Sequence, residues 1–181
     1  MPANNRDLHG MAPDQSDVAL LLVDVINDLE WEGAEEIEAA ARRMADRIAA
    51  LRERAYAAEI PVIYANDNYG IWRSDFKALI SHCLSGNVRG RFLAEALAPR
   101  QDDYFVLKPK HSAFFSTTLD VLLRYLQVNT LILTGLAGNI CILFTANDAY
   151  MRDFDLYVPS DCVASNTEAE NRNALEQIRK V

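Results

Sequence analysis

Short apolar runs that alternate with helical patterns constrain this chain most. From Val18 onward the runs VALLLV, VIYA, YFVLK and TLILT are each followed by a segment with helical spacing. This alternation predicts repeated βαβ units and a largely parallel sheet, with right-handed crossovers. The expected fold is therefore α/β, a three-layer α/β/α arrangement with a mostly parallel, Rossmann-like central sheet.

The segment after the first apolar run gives the clearest helix. Its apolar side chains recur at steps of three and four and form one stripe, which contains Ile37, Ala41, Met44, Ile48, Leu51 and Ala55. We expect the charged residues to cover the opposite, solvated surface: Arg42, Arg43, Asp46, Arg47, Arg52 and Glu53. Such a stripe is typical of a helix that packs one face on a sheet.

The rest of the pattern predicts further strands at Tyr104–Lys108, Thr130–Thr134 and Leu156–Val158. Helices are expected at about 74–84, before Pro99, at about 139–152 and from Glu168. Thr117 precedes Asp120 by three residues, which predicts a capping box at the start of another helix.

Length and composition exclude several classes of protein. A chain of 181 residues fits one domain, expected at 17–181 after a flexible polar tail at 1–16 that lacks a signal peptide. No apolar run approaches the roughly 20 residues that span a bilayer, so no membrane association is expected. A formal charge of −8 disfavours a nucleic-acid surface. We expect a cytoplasmic protein.

The three cysteines are an odd number without CxxC spacing, so neither a disulfide framework nor a zinc site is expected. Cys141 differs from Cys83 and Cys162 in its position. It follows an apolar run and a turn rich in small residues, which should place it at the start of a helix. A helix N-terminus favours the thiolate, whereas we interpret Cys83 and Cys162 as structural.

Reactive groups follow the ends of three predicted strands. Asp24 closes VALLLVD, Lys108 closes YFVLK, and Cys141 follows LILTGLAGNI. Because the carboxyl ends of parallel strands share one edge of the sheet, and ligands bind at that edge, we expect the three groups to lie together. A carboxylate, a cation and a thiol supply a base, an anion stabiliser and a nucleophile.

Each residue also has an ordinary structural interpretation when it is taken alone. Cys141 could be a small buried apolar side chain, Asp24 a structural cap, and Lys108 a solvated surface lysine. Their joint position at one edge favours the catalytic interpretation over three separate coincidences.

Three ordered motifs then resemble a known family. VDVINDL at 23–29, LKPKHSAF at 107–114 and TGLAGNIC at 134–141 are similar to those of the isochorismatase-like cysteine hydrolases, which include nicotinamidases and carbamoyl-amide hydrolases. The resemblance extends from about Val18 to Asn166. It implies that Asp24 is the general base, Lys108 the cationic partner and Cys141 the nucleophile. It also implies an oxyanion hole formed by the N–H groups of Ala137 and Cys141, and a cis peptide between Leu136 and Ala137.

The chain also departs from this family. Ile26 and Leu29 stand where the family often has Gln and Phe, so the wall beneath the pocket should differ. Nicotinamidases carry a metal site with an Asp and several His after the second strand, where this chain reads ANDNYGIW without histidine. We therefore expect neither metal nor cofactor. His111 is expected to be a loop residue and not a second base, because Asp24 already fills that role.

The sequence thus predicts hydrolysis of a small amide-type C–N bond through a thioester on Cys141. Lys108 should lower the pKa of both Asp24 and Cys141, and Cys141 should be thiolate-rich near neutral pH and alkylated before the other cysteines. Vinyl-ether hydrolysis of the isochorismatase type, without the thiol, and a catalytically silent binding module remain open.

The expected partner is a small-molecule substrate. Polar and aromatic residues of the loop after the second strand are candidates to contact it: Asn66, Asp67, Asn68 and Trp72. A homo-oligomer, either a dimer or a tetramer, is also expected, because Trp31, Trp72 and Tyr69 in predicted loops leave apolar groups for an interface.

Overall fold

A central parallel sheet organises the protein. The computed structural model describes residues 15–69 and 75–180. Within these ranges six strands form one sheet: β1 Val18–Val23, β2 Val62–Asp67, β3 Tyr104–Lys108, β4 Thr130–Leu136, β5 Asp155–Tyr157 and β6 Val163–Ala164. The order is β3-β2-β1-β4-β5, β6 also pairs with β4, and every neighbouring pair is parallel. The predicted fold class is confirmed.

Helices cover both faces of this sheet. Helices α1 Glu38–Ala57, α2 Phe76–Ser85 and α3 Arg91–Leu97 pack on one face, where Leu20, Leu22 and Tyr64 point. Helices α4 Leu119–Leu126, α5 Leu143–Tyr150 and α6 Glu168–Ile178 lie on the other face, where Leu21, Val23 and Leu133 point. Because side chains alternate along a strand, each strand contributes apolar residues to both cores.

The helices that follow β1 and β4 lie on opposite faces of the sheet. The chain leaves β1 towards α1 on one face, and it leaves β4 towards α5 on the other. Val23, the last residue of β1, pairs with Gly135 near the end of β4. Such a reversal opens a crevice beyond the strand ends, where ligands bind in open α/β sheets.

Arg52 corrects the prediction for α1. The stripe is confirmed at Ala41, Met44 and Ile48, but Arg52 is buried and does not belong to the solvated face. Its guanidinium donates to the Tyr64 hydroxyl (2.8 Å) and to the carbonyls of Ala98 (3.0 Å) and Ala96 (3.2 Å). Arg52 therefore ties α1 to the end of α3, just before the chain enters the strand that carries Lys108.

Replacing Arg52 by methionine should destabilise the protein by about 2–4 kcal/mol, because the buried Tyr64 hydroxyl and two partly buried carbonyl groups would lose their donor. Urea unfolding should measure this as a lower midpoint with an unchanged slope. Arg54, exposed near the end of the same helix, provides the matched control, and Arg54→Met should change the midpoint little. Equal midpoints for the two variants would contradict the assigned role of Arg52.

The capping prediction at Thr117 is wrong. Helix α4 begins after Thr118, whose side chain makes no capping hydrogen bond, and Asp120 pairs instead with Arg124 (2.6 Å). Thr117 donates to the Ala113 carbonyl (2.6 Å) and accepts from the Leu119 N–H (3.2 Å). A capping box is found at α6, between Thr167 and Glu170.

Several other expectations concern the surface and the termini. Among the described residues, no helix is both long and apolar enough to cross a lipid bilayer. Trp31 and Tyr69 are partly exposed, 36% and 41% of their surface respectively, whereas Trp72 lies outside the described residues. The assembly state and the boundary between tail and domain stay predictions.

Candidate active site

Lys108 is the centre of the site. It ends β3, its side chain is completely buried, and its Nζ lies 2.8 Å from Asp24 Oδ2 and 3.5 Å from Cys141 Sγ. The three groups that the sequence places at one edge of the sheet are thus brought into contact. Burial lowers the pKa of Lys108, but the negative charge and hydrogen bond of Asp24 lead the effects that outweigh it, so its pKa lies above the ordinary value and the ammonium form is retained.

Asp24 is held from three sides. It follows β1 with φ of 53°, a left-handed conformation that aspartate tolerates better than most residues. One carboxylate oxygen binds Lys108 and the other accepts from the Asp67 N–H at 2.7 Å, while the Cys141 thiol is a further hydrogen-bond partner. Burial raises the pKa of Asp24 above its ordinary value even though Lys108 opposes that shift, which makes the carboxylate a stronger base.

Cys141 lies in a tight turn between β4 and α5. Residues Gly138–Ile142 form one π-helical turn, so the thiol sits at the start of the helical segment, as predicted. A side chain at Gly135, where φ is 120°, would collide with the Val23 carbonyl of the neighbouring strand. Glycine there lets β4 run close beside β1. The peptide bond between Leu136 and Ala137 is cis, which confirms the expectation from the resemblance.

The expected thiolate character of Cys141 is wrong for the resting site. Burial and the adjacent Asp24 charge raise the pKa of Cys141 to about 12, and Lys108 only partly offsets them. Lys108 does lower the pKa of both neighbours, as expected, but burial outweighs its effect on each of them. Sequence spacing indicates which charges are near, whereas the burial that dominates here depends on the complete fold.

Alkylation of Cys141 by iodoacetamide should therefore be slow at neutral pH and should accelerate about tenfold per pH unit up to at least pH 10, because only the thiolate reacts. Mass mapping of Cys141 after timed labelling would measure this dependence. A rate that levels off below pH 8 would show an acidic thiol. Its labelling before Cys83 and Cys162 stays a prediction.

The residues predicted to contact the substrate lie at the end of β2 and in the segment that follows it. Asp67 lies at the site, with one carboxylate oxygen 3.5 Å from Lys108 Nζ and the other accepting from the Tyr69 N–H (2.6 Å). Asn66 is fully buried and its amide donates to the Ile26 carbonyl (2.7 Å), so it braces the loop after β1. The Asn68 N–H binds the Lys108 carbonyl (3.1 Å). Trp72 lies outside the described residues, and substrate contact by any of the four stays a prediction.

Two contacts at the site were not foreseen. The Asp67 carboxylate approaches Lys108, and His111 Nδ1 lies 3.9 Å from Cys141 Sγ. His111 does belong to a loop, as expected, and its ring contacts that of Phe144 with centroids 5.7 Å apart. The sequence signal for both is their position: Asp67 ends the second strand, and His111 comes three residues after Lys108.

The remaining residues of interest are structural in the described fold. Ile26 and Leu29 are completely buried in the core beneath α1. Cys83 lies in the same core on α2, and burial raises its pKa to about 11. Cys162 is buried at the end of a short 3₁₀ turn, where burial also raises its pKa to about 12. The cysteines are free thiols.

The nicotinamidase type of metal site does not fit the residues present. Asp67, the acidic residue of the stretch ANDNYGIW, is engaged by Lys108 and by the Tyr69 N–H. Over residues 15–69 and 75–180, no three His, Cys, Asp or Glu side chains are placed to hold a metal ion.

A carboxylate, an ammonium and a thiol thus lie in contact at the carboxyl ends of parallel strands of an α/β fold. The isochorismatase domain model matches residues 18–181, and the chain belongs to this hydrolytic family. It is 45% identical over 167 residues to the uncharacterized isochorismatase family protein YaaI of Bacillus subtilis, which covers 92% of this chain and 91% of that protein.

Solved structures show the same likeness. Nicotinamidase PncA from Bacillus subtilis matches with a TM-score of 0.67 and 26% identity, covering 91% of this chain and 95% of that one. N-carbamoylsarcosine amidase from Thermoplasma acidophilum matches with a TM-score of 0.61 and 25% identity, covering 91% and 94% respectively.

Proposed function

We propose that this protein is a cysteine-dependent amidase that cleaves a small amide-type C–N bond through a thioester on Cys141. The observation that carries the proposal is the contact of Lys108 with both Asp24 (2.8 Å) and Cys141 (3.5 Å) in a buried site. Two structural neighbours, a nicotinamidase and an N-carbamoylsarcosine amidase, are named for amide hydrolysis. The substrate is a small molecule.

In the first step the neutral thiol attacks the amide carbonyl while Asp24 takes its proton. A neutral resting thiol needs such a base, and the raised pKa of Asp24 makes its carboxylate better suited to that task. Lys108 holds the carboxylate and the sulfur in register and stabilises the negative charge as it moves between them. No free thiolate has to accumulate.

The tetrahedral intermediate then places its oxyanion on the backbone N–H groups of Ala137 and Cys141, the roles that the resemblance assigns to them. The glycine-containing turn and the buried surroundings suit this task, since donors in a water-poor site stabilise charge more than they would in water. Asp24 returns its proton to the leaving nitrogen, ammonia or an amine departs, and a thioester remains. Water hydrolyses the thioester and completes the cycle.

A panel of small carboxamides and ureido compounds, assayed for ammonia release, tests the proposal. The wild-type protein should hydrolyse at least one member, and Cys141→Ala should hydrolyse none, because the attacking atom would be absent. Cys83→Ala is the matched control for loss of a buried thiol outside the site. Full activity of Cys141→Ala would reject the thioester route.

One observation favours a second candidate, vinyl-ether hydrolysis by acid catalysis. The raised pKa of Asp24 is a property that a general acid also needs. This reaction does not use the thiol and should survive Cys141→Ala, so the same variant separates the two candidates. A protein that binds members of the panel without turnover would be a silent binding module.

Hydrolysis should be independent of added metal. Because the loop after β2 lacks histidine and the Asp67 carboxylate already has partners, we expect no change in rate after dialysis against a chelator or on addition of zinc or manganese. The rate of ammonia release before and after dialysis measures this. Activity that is lost on dialysis and restored by one metal would contradict the prediction.

A further inference from the structure

One helical segment of the protein is apolar on both of its sides. It consists of the π-helical turn Gly138–Ile142 and helix α5, Leu143–Tyr150. Its inner side packs in the core through residues such as Ala146 and Ala149. A surface helix normally presents charged and polar residues on its outer side. In this segment Asp148 is the only charged residue.

The outer side carries a stripe of exposed residues. Ile140, Phe144, Asn147 and Met151 follow one another at steps of four, three and four, so their side chains lie along one line of the helical segment. Ile140 is 38% exposed, Phe144 52% and Met151 70%. Asn147, between them, is exposed as well. We call these four residues the α5 stripe.

Two further aromatic rings enlarge the apolar surface near the α5 stripe. Tyr150, the neighbour of Met151 in the chain, is 52% exposed. Phe115 is 54% exposed, and its loop is held to α5 because the Ala113 N–H donates to the Thr145 hydroxyl (3.0 Å). An aromatic side chain has roughly 150–250 Å² of surface, so three half-exposed rings and the other apolar groups of the stripe present on the order of 500 Å².

This area is what one half of a dimer interface requires. A standard interface buries about 800 Å² on each partner, and at homodimer interfaces roughly 65% of that area is apolar. An apolar patch of this size on a soluble chain marks an interaction site. A helix that is apolar on both sides needs a partner that is always present in equal amount, and a second copy of the chain meets that condition.

We infer that the α5 stripe is a dimer interface, on which α5 of a second copy packs about a two-fold axis. Such an interface needs a surface that is complementary to itself. If the two helices run antiparallel and the axis passes Asn147, the two Asn147 amides pair, since each can donate and accept. Phe144 of one copy then meets Met151 of the partner subunit. No like charges are brought together, because the stripe carries none.

Sedimentation velocity at micromolar concentration tests the inference. The wild-type protein should sediment as a dimer. The double substitution Phe144→Glu with Met151→Glu places carboxylates in an apolar contact, so the Kd of the dimer should rise on the order of 10²-fold or more and the variant should sediment as a monomer. Trp31→Glu is the matched control, since it alters a partly exposed ring of the loop after β1, and it should stay dimeric.

A cross-linking experiment gives an answer that does not depend on how well the glutamate variants fold. Asn147→Cys places a thiol at the proposed axis, so a short bis-maleimide should join two copies into a covalent dimer on a denaturing gel. Arg54→Cys, which places an exposed thiol on α1 at the opposite face of the sheet, should remain largely uncoupled. The wild-type protein, whose three cysteines are buried, sets the background.

Three outcomes would overturn the inference, and none of them depends on amidase activity. A wild-type protein that sediments as a monomer has no such interface. A dimer that dissociates in Trp31→Glu but survives the double substitution in the α5 stripe is formed through the loop after β1. Equal cross-linking through Asn147→Cys and Arg54→Cys would show random collisions between molecules and no defined contact at α5.

Discussion

Replacing Asp24 by asparagine should lower amide turnover by roughly 10²–10⁴-fold, the range over which a lost general base acts. The effect should be this large because the thiol is neutral at rest, with a pKa raised to about 12, and has no other carboxylate bonded to it in the described site. Ammonia release by wild type and variant, compared on the best amide of the panel, measures the loss.

The same variant should make the thiol more acidic. The negative charge of Asp24 is one of the causes that raise the pKa of Cys141, so its removal leaves Lys108 free to favour the thiolate. We therefore expect faster alkylation of Cys141 at pH 8 together with slower turnover. Asp28→Asn, which alters a nearby loop carboxylate bonded to His82, is the control and should change neither rate. Slower alkylation in Asp24→Asn would contradict the assigned electrostatics.

Much of the architecture could be predicted because it depends on local patterns. Apolar runs of strand length identified β1, β3 and β4, and parallel pairing then required Asp24, Lys108 and the turn of Cys141 to share one edge. The contact among these residues follows from topology, and the structure confirms it.

Properties that depend on burial could not be predicted in this way. Arg52 has the spacing of a surface residue, yet the approach of the end of α3 buries it and its two terminal amino groups donate to carbonyls there. The pKa of Cys141 rises because the surrounding elements exclude water, which a helix-start argument does not include. His111 meets the thiol through the path of a loop, and periodicity carries no information about that path.

Replacing Lys108 by methionine should cost both activity and stability. Turnover should fall on the order of 10³-fold, because a preorganised charge would be missing where negative charge moves. Removal of one partner of a buried ion pair should also cost about 3–5 kcal/mol near neutral pH, since Asp24 would be left as an unpaired buried carboxylate.

The stability loss in Lys108→Met should depend on pH with a definite sign. Without the ammonium, the pKa of Asp24 in the folded state rises further above its ordinary value. A carboxyl group with a raised folded pKa favours the folded state at low pH and loses that contribution as pH rises through the folded pKa. The free energy of unfolding of the variant, measured with urea, should therefore be closer to the wild-type value at pH 5 than at pH 8.

The double variant Lys108→Met with Asp24→Asn removes both charges and should recover much of the lost stability at pH 8, because no buried charge then remains unpaired. A deficit that is equal at both pH values, or that persists in the double variant, would show that Lys108 stabilises the fold through packing and not through its charge.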